Sequence, residues 1–439
     1  MDIWESTAWA DAFEEFFADF ADCFQRERTR ACAADYIRGL LAEVERKNCW
    51  QIAEWMGQAD PQQTQRLMYE AKWDADEVCQ RLRGKVVVRL GYQPGVGVID
   101  ESGFVKRGEK SAGVGRQYGG RLGKVEHCQV GVFLGYVAPL GYAFVDRELY
   151  LPKEWCEAAE RRAEAHIPEA VSLPTKPQLA QQRLARAWGE GIPMQWVAAD
   201  SPYGNSPGLR NFIHDQQRYY VMEVPQTLPV RLVAEAPPQA VNELVGTLEA
   251  WQWQRLAFGF GEKGLNFYDW AALRVTPTPD EVGEQWLLLR RTLENGEVTD
   301  YGSNAPVSTP LETLAEVASA RWGIERLLEE GKGEAGLADY EVRHWQAWYR
   351  PIPLSFVAHP WLTLVRHEER KKTVLTAVAD GQFGPTTQGV EYAFAASGVK
   401  YCFSGQMVAV AAQETAASHC VPLPGHAPLH RFASVQFPA

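Results

Sequence analysis

From Trp4 to about Arg83 apolar residues recur at three- and four-residue spacing among Ala, Glu, Leu, Arg and Phe, which predicts a set of amphipathic helices. Within it, Trp50 to Met56, a break at Gly57 to Asp60, and Pro61 to Met68 read as helix, turn, helix, with Asp60 as N-cap and Pro61 at the first helical position. Gln62, Gln63, Gln65 and Arg66 would then face a DNA groove; an ordinary helical hairpin accounts for the same residues equally well. From Val86 the pattern changes to short apolar runs bounded by Gly and Pro. Val86 to Leu90, Gly97 to Asp100, Val125 to Ala138 and Gly141 to Tyr150 are expected strands, the last two joined at a Pro-Leu-Gly turn. A helix over Pro177 to Glu190, a buried strand Met194 to Asp200 and a helix around Leu209 to Gln217 continue as alternating strand and helix.

Between Tyr219 and Ser308, apolar stretches alternate with Pro- and Gly-rich turns and carry many aromatics, among them Trp251, Trp253, Trp270 and Trp286. This predicts a β-rich insertion. Helical periodicity returns from Leu311 to about Lys332 and fades after about Val374, so weak order is expected there. The divisions expected are a helical N-terminal domain over 1–85, the first part of an α/β core over 86–218, the insertion over 219–308, the second part of the core over 309–372 and a C-terminal segment over 373–439.

Composition narrows the class. A chain of 439 residues with 46% hydrophobic and 23% charged residues is globular and large enough for several structural units. No apolar run is long enough to span a bilayer, and the acidic stretch Met1 to Asp22 is unlike a signal peptide, so a cytoplasmic location without membrane contact is expected. The eight cysteines are scattered without a CxxC pair, which points to neither zinc nor a disulfide framework. A net charge of -12 counts against a protein that coats a polyanion. Locally, however, Lys106, Arg107, Lys110, Arg116, Arg121 and Lys124 form a basic stretch suited to DNA phosphates.

Asp100 and Asp200 each close an apolar strand just before turn-forming residues, and Glu325 lies on a predicted helix. Three carboxylates from separate segments suit Mg2+, a hard cation that also binds phosphate oxygens, and a pair of such ions supports phosphodiester chemistry. Taken singly, each Asp reads as well as a turn or N-cap residue. The surrounding blocks change the balance. Ile99-Asp-Glu-Ser-Gly-Phe-Val-Lys-Arg-Gly-Glu-Lys-Ser-Ala-Gly-Val-Gly-Arg-Gln-Tyr118, continuing through Gly123 to Val132 and Arg147 to Pro152, resembles the IS701 family of insertion-sequence transposases, within the IS4-like DDE group. So do Ala199-Asp-Ser-Pro-Tyr-Gly204 and the run from Arg321-Trp-Gly-Ile-Glu325 through Lys332 to Arg343, which has the family's spacing of Arg, Glu and Lys. The resemblance extends from about Glu45 to Leu364.

It implies an RNase H-like catalytic core of α/β class, with the β-rich insertion between the second Asp and the Glu, preceded by an all-helical DNA-binding domain. It also implies cut-and-paste movement of double-stranded DNA with terminal inverted repeats by a homodimer in the bacterial cytoplasm, nucleoid-associated when on DNA. Asp100, Asp200 and Glu325 would bind two Mg2+ ions, with Mn2+ able to substitute, while Arg321, Lys332 and Arg343 would contact DNA. Arg321, Glu325 and Lys332 would share one helix face. Ala318 stands where the IS4-like signature has Tyr, so an aromatic of the insertion, Trp286 or Trp270, is a candidate to stack on an unpaired base. A transposase-derived regulatory protein that binds DNA without moving it, and a stand-alone RNase H-like nuclease, are the competing readings. Gly259 to Gly264 satisfies GxGxxG but sits among aromatic strand-like residues, outside any βαβ unit.

Overall fold

The computed structural model describes residues 7–90, 95–119, 124–155, 157–232, 236–261, 264–276 and 283–379. The chain divides into a compact unit, residues 1–372, and a second, residues 373–439, of which only the first seven are described. The weak order expected beyond about Val374 therefore falls mostly outside the described residues.

Helices α1 (Thr7–Ala18), α2 (Glu27–Leu41), α3 (Cys49–Trp55), α4 (Gln62–Tyr69) and α5 (Ala75–Leu90) come first. Asn48 starts α3 by accepting from Trp50 N and Gln51 N. Two helices do flank a turn within 50–68, but α4 begins at Gln62 with Pro61 at the N-cap position, one residue later than expected; Asp60, just before it, still accepts from Gln62 N at 2.9 Å. The strand expected over Val86 to Leu90 is instead the last turn of α5. Val78, Cys79, Leu82, Val86 and Val87 are buried along one side of that helix, and this packing overrides the β preference of three consecutive valines.

Strands β1 (Gly95–Val105), β2 (Gly115–Gly119), β3 (Lys124–Ala138) and β4 (Gly141–Tyr150) follow, then α6 (Ala159–Glu164), α7 (Lys176–Gly189), β5 (Met194–Ala199), α8 (Ser201–Gly204), α9 (Pro207–Asp215) and β6 (Tyr219–Glu223). β3 lies antiparallel between β1 and β4, while β5 and β6 run parallel to β1. The central strands are paired on both edges and covered by helices, which is why they read as continuous apolar runs. Thr175 caps α7 in a capping box with Gln178, and Ser206 caps α9.

The insertion comprises β7 (Pro229–Val230), β8 (Gln239–Ala240), α10 (Val241–Val245), β9 (Gln254–Gly261), β10 (Gly264–Val275), β11 (Gln285–Thr292) and β12 (Val298–Ser303). It is β-rich, as expected, and it extends the main sheet: β12 pairs with β6, giving the order β2-β3-β1-β5-β6-β12-β11-β10-β9 with β4 on β3. A small second core, with Val230, Val241 and Leu244 against Ala271, Leu287 and Leu289, covers one face of it. The result is a mixed α/β protein built on one large sheet.

The helical stretch from Leu311 breaks at Arg321 into α11 (Leu311–Ala320) and α12 (Trp322–Gly333), followed by α13 (Trp345–Trp348) and α14 (Pro351–Ala379). A Cβ on Gly323 would come 2.5 Å from Val137 Cγ2, so glycine is what lets α12 lie close on β3. The N-terminal helices share the main core: the Trp361 ring of α14 lies against Trp9, Phe13 and Phe16. No helix among the described residues is long and apolar enough to cross a membrane.

α12 is tied to α14 through Glu330, which accepts from Tyr142 Oη at 2.7 Å and lies 2.9 Å from Nε2 of buried His359. Burial alone would raise its carboxyl, but those partners and Arg326 hold it down at about 2. A depressed carboxyl stabilises the fold above its ordinary value of 4.5 and loses that contribution as pH falls toward 2. Glu330→Gln is therefore expected to flatten the fall of Tm between those pH values; a Tm profile parallel to wild type there would refute it.

Candidate active site

The site begins with sheet register. Ile99 pairs with Ala199 across the parallel strands β1 and β5, so Asp100 and Asp200 stand side by side, on neighbouring strands roughly 4.8 Å apart. Ala199 pairs in turn with Met222, which places Glu223, the last residue of β6, beside Asp200. Close approach of α8 to β6 requires Gly204, since a Cβ there would overlap the Glu223 carbonyl oxygen.

Burial, then the neighbouring Asp200 and Glu101 charges, push the Asp100 carboxyl up to about 8, although its Oδ1 accepts from Glu101 N at 2.7 Å. Burial and Glu101 raise Asp200 to about 7. Asp200 Oδ1 is buried with no hydrogen-bond partner. Two adjacent carboxylates that resist ionising together, one with an orphaned oxygen, form a site whose electrostatics a cation would complete.

Arg321, at the break between α11 and α12, reaches this cluster from the other side. Its Nε lies 3.1 Å from Glu223 Oε1 and its Nη2 2.6 Å from Glu325 Oε1. Although burial pulls it down, Glu223, Glu325 and Asp100 hold the guanidinium above its ordinary value. Lys332 turns onto β1, donating to Gly103 O at 3.0 Å and lying 4.9 Å over the Phe104 ring. Lys176, at the start of α7, is 2.6 Å from Glu101 Oε1, and Tyr203 is buried beneath the acids. Glu325 is held by Arg321, and no cluster of three or more His, Cys, Asp or Glu is arranged for a metal among the described residues.

The basic candidates are dispersed. Arg107, Arg116 and Arg343 are exposed; Lys110 is exposed and 2.5 Å from Glu164. Lys106 is directed inward, donating to Tyr340 O at 2.6 Å and lying 3.6 Å over that ring. Burial lowers its ammonium to about 7. Arg121 and the side chain of Lys124 lie outside the described residues. Trp270 is fully buried against Tyr301 and cannot stack on a base without unfolding the insertion, a correction to its candidacy. Trp286 is half-buried, with its indole N–H donated to Pro306 O at 3.1 Å. Glu101, Lys176 and Glu223 were not singled out from the sequence; for Glu223 the signal was present, because Tyr219 to Glu223 is, like Met194 to Asp200, an apolar run ending on an acid.

A family model described as DDE superfamily endonuclease matches residues 19–245, more than half of the chain. The chain belongs to the DDE superfamily endonucleases. The match takes in Asp100 and Asp200 of this DDE endonuclease and ends before Glu325. The chain is also similar to the probable transposase for insertion sequence element IS701 of Microchaete diplosiphon, at 25% identity over 318 residues, covering 70% of this chain and 75% of that protein. The IS701 resemblance carried by the three sequence blocks therefore stands. Among solved structures, piggyBac transposase in a synaptic complex with hairpin DNA matches with a TM-score of 0.40 and 10% identity, over 92% of this DDE endonuclease and 78% of the other chain.

Proposed function

We propose that this chain is a DNA transposase that cleaves at transposon ends and joins the freed strands to a target by a two-metal DDE mechanism. The observation that carries the reading is the placement of Asp100, midway along β1, beside Asp200, just past the end of the parallel strand β5, with an unpartnered buried oxygen on Asp200. The run β4-β3-β1-β5-β6, three antiparallel strands followed by two parallel ones, supports an RNase H-like core.

The acidic pair suits a hard divalent cation, Mg2+ with Mn2+ as a substitute, and Glu325 would complete its ligands by leaving Arg321. Bound there, such ions would activate the attacking hydroxyl and stabilise the leaving oxygen. The protein's own part is to hold the two Asp carboxylates in register, to bring Glu325 near on α12, and to present Arg321 and Lys332 to phosphates close to the cut. Arg107, Lys110, Arg116, Arg121, Lys124 and Arg343 would extend the phosphate track, with Lys106 bracing it from within. Helices over 1–85 would recognise the DNA end, the insertion, which follows β6 rather than including it, would flank it, and a homodimer would join two ends having inverted repeats, in the cytoplasm.

Ala318, in place of the Tyr of the IS4-like signature, favours the second reading, a regulatory protein that binds DNA without cutting it. A labelled duplex carrying the element's own ends separates the two. Incubated with Mg2+ or Mn2+, wild type is expected to cut at the ends and Glu325→Gln is not. Tight binding with no cutting by wild type would select the regulatory reading.

A further inference from the structure

Two acids of this site lie outside the DDE triad: Glu101, which Lys176 holds at 2.6 Å, and Glu223. Glu223 sits at the end of β6, in register with Asp200, yet its ion-pair partner is Arg321, whose Nε it meets at 3.1 Å. Arg321 is thus shared between two carboxylates, with Glu325 at 2.6 Å on Nη2. The side chains of Arg321 and Glu223 are only 21% and 19% exposed, against 45% for Glu325, so the Glu223 contact is the sheltered one and the Glu325 contact the open one. Glu223 is also borne by a strand paired on both edges, whereas Glu325 lies one turn from the helix break at Arg321.

We infer that Glu223 is a positioning residue: it anchors Arg321 so that Glu325 can leave the guanidinium for a divalent cation. The physical argument is charge balance. If Arg321 had Glu325 as its sole counter-charge, release of Glu325 would strand a largely buried cation, so the pair would stay closed. With Glu223 fixed on Nε, the guanidinium keeps both a partner and its orientation while Glu325 moves away. Arg321 then remains planar and aimed for phosphate, a role that a swinging side chain would serve poorly.

This rests on the two-metal reading above, and the experiment keeps the two apart. Mn2+ binding to the full chain without DNA is measured by calorimetry for wild type, Glu223→Gln, Glu325→Gln and the double variant, with Tm as the check on folding. Glu223→Gln is expected to weaken Mn2+ binding about tenfold, with Tm near wild type. In the Glu325→Gln background the same substitution is expected to change affinity less than about twofold, because the residue it frees is already gone. A tenfold effect that persists in that background would show Glu223 acting as a ligand or by its field alone, and would overturn the positioning role. Unchanged affinity in Glu223→Gln, while wild type binds Mn2+, overturns this inference alone; no Mn2+ binding by wild type removes the two-metal reading with it. If Glu223→Gln loses its fold, Glu223→Asp, which keeps the charge but withdraws the carboxylate by one methylene, carries the same test: affinity weakened as in the Gln design supports positioning, and wild-type affinity overturns it.

Discussion

Replacing Asp200 by Asn is expected to lower metal-dependent cleavage by at least about a thousandfold and, in the same protein without metal, to raise Tm. The two effects share one cause. Asp200 and Asp100 stand in register on adjacent strands, and burial with nearby acids raises them to about 7 and about 8: Glu101 and Glu223 act on Asp200, and Asp200 and Glu101 on Asp100. A carboxyl whose folded value lies above its ordinary value of 3.8 favours the fold most when protonated, and this advantage is lost as pH rises through the folded value. Without metal, wild type is therefore expected to gain stability from these groups as pH falls from about 8 toward 4. The amide that replaces the carboxylate carries no charge, so Asp200→Asn should show a flatter profile over that range and an advantage on the order of 1 kcal/mol at about pH 8. Mn2+ should raise the Tm of wild type and leave that of the variant unmoved. Measuring Tm on either side of the two raised values, at about pH 5.5 and about pH 8.5, with and without Mn2+, decides it. An Asn variant less stable than wild type at both values without metal would mean that the acids are held by the fold and do not strain it.

A second large effect is expected far from the acids. Asp146 of β4 is fully buried and is ringed by arginines: Arg186 Nε at 2.7 Å, Arg147 at 3.5 Å, Arg83 at 3.8 Å and Arg183 at 3.9 Å. Arg83 comes from α5 and also holds Glu190 through two bonds of 2.6 Å, while Arg147 and Arg186 share Asp76 of α5. Asp146 is the buried centre of a network that ties α5, the last of the N-terminal helices, to the sheet and to α7. Asp146→Ala leaves several buried guanidinium groups facing one another, and removing one partner from such a network costs about 3–5 kcal/mol. A fall in Tm on the order of 10 °C is expected from thermal unfolding followed by circular dichroism. A Tm within about 2 °C of wild type would show that Asp76, Glu190 and Glu148, which holds Arg183 at 2.8 Å, compensate the arginines without it.

Some of this was legible in the residues alone. The apolar runs ending at Asp100 and Asp200, the helix over Pro177 to Glu190 and the helix around Arg321 to Lys332 follow from local spacing, because a buried strand and a one-sided helix must each repeat their apolar positions with a fixed period. The three blocks led to the family for the same reason: chemistry on a backbone scaffold needs fixed residues at fixed local offsets.

The misreadings mark where local information ends. Val86 to Leu90 looked like strand because three valines favour it, yet its burial at three- and four-residue spacing against the core makes it helix. The Leu311 to Lys332 stretch reads as one helix by its period, but the chain breaks it at Arg321, and α12 sends Lys332 to the Gly103 carbonyl. Trp270 looked like any aromatic of the insertion until the sheet put it in the core.

The sequence by itself determined which segments are helix and strand over most of the chain, which two acids follow buried apolar runs, and which family carries those blocks; Asp200 does end its strand, but Asp100 lies inside β1, which runs on to Val105. The tertiary structure alone decided that the insertion continues the main sheet, that Glu223 lies beside Asp200, and that Arg321 is shared between Glu223 and Glu325. The reason is physical. Periodicity encodes which side of an element is buried, whereas strand order and register depend on pairing between segments far apart in the chain, and no local pattern of residues records that pairing.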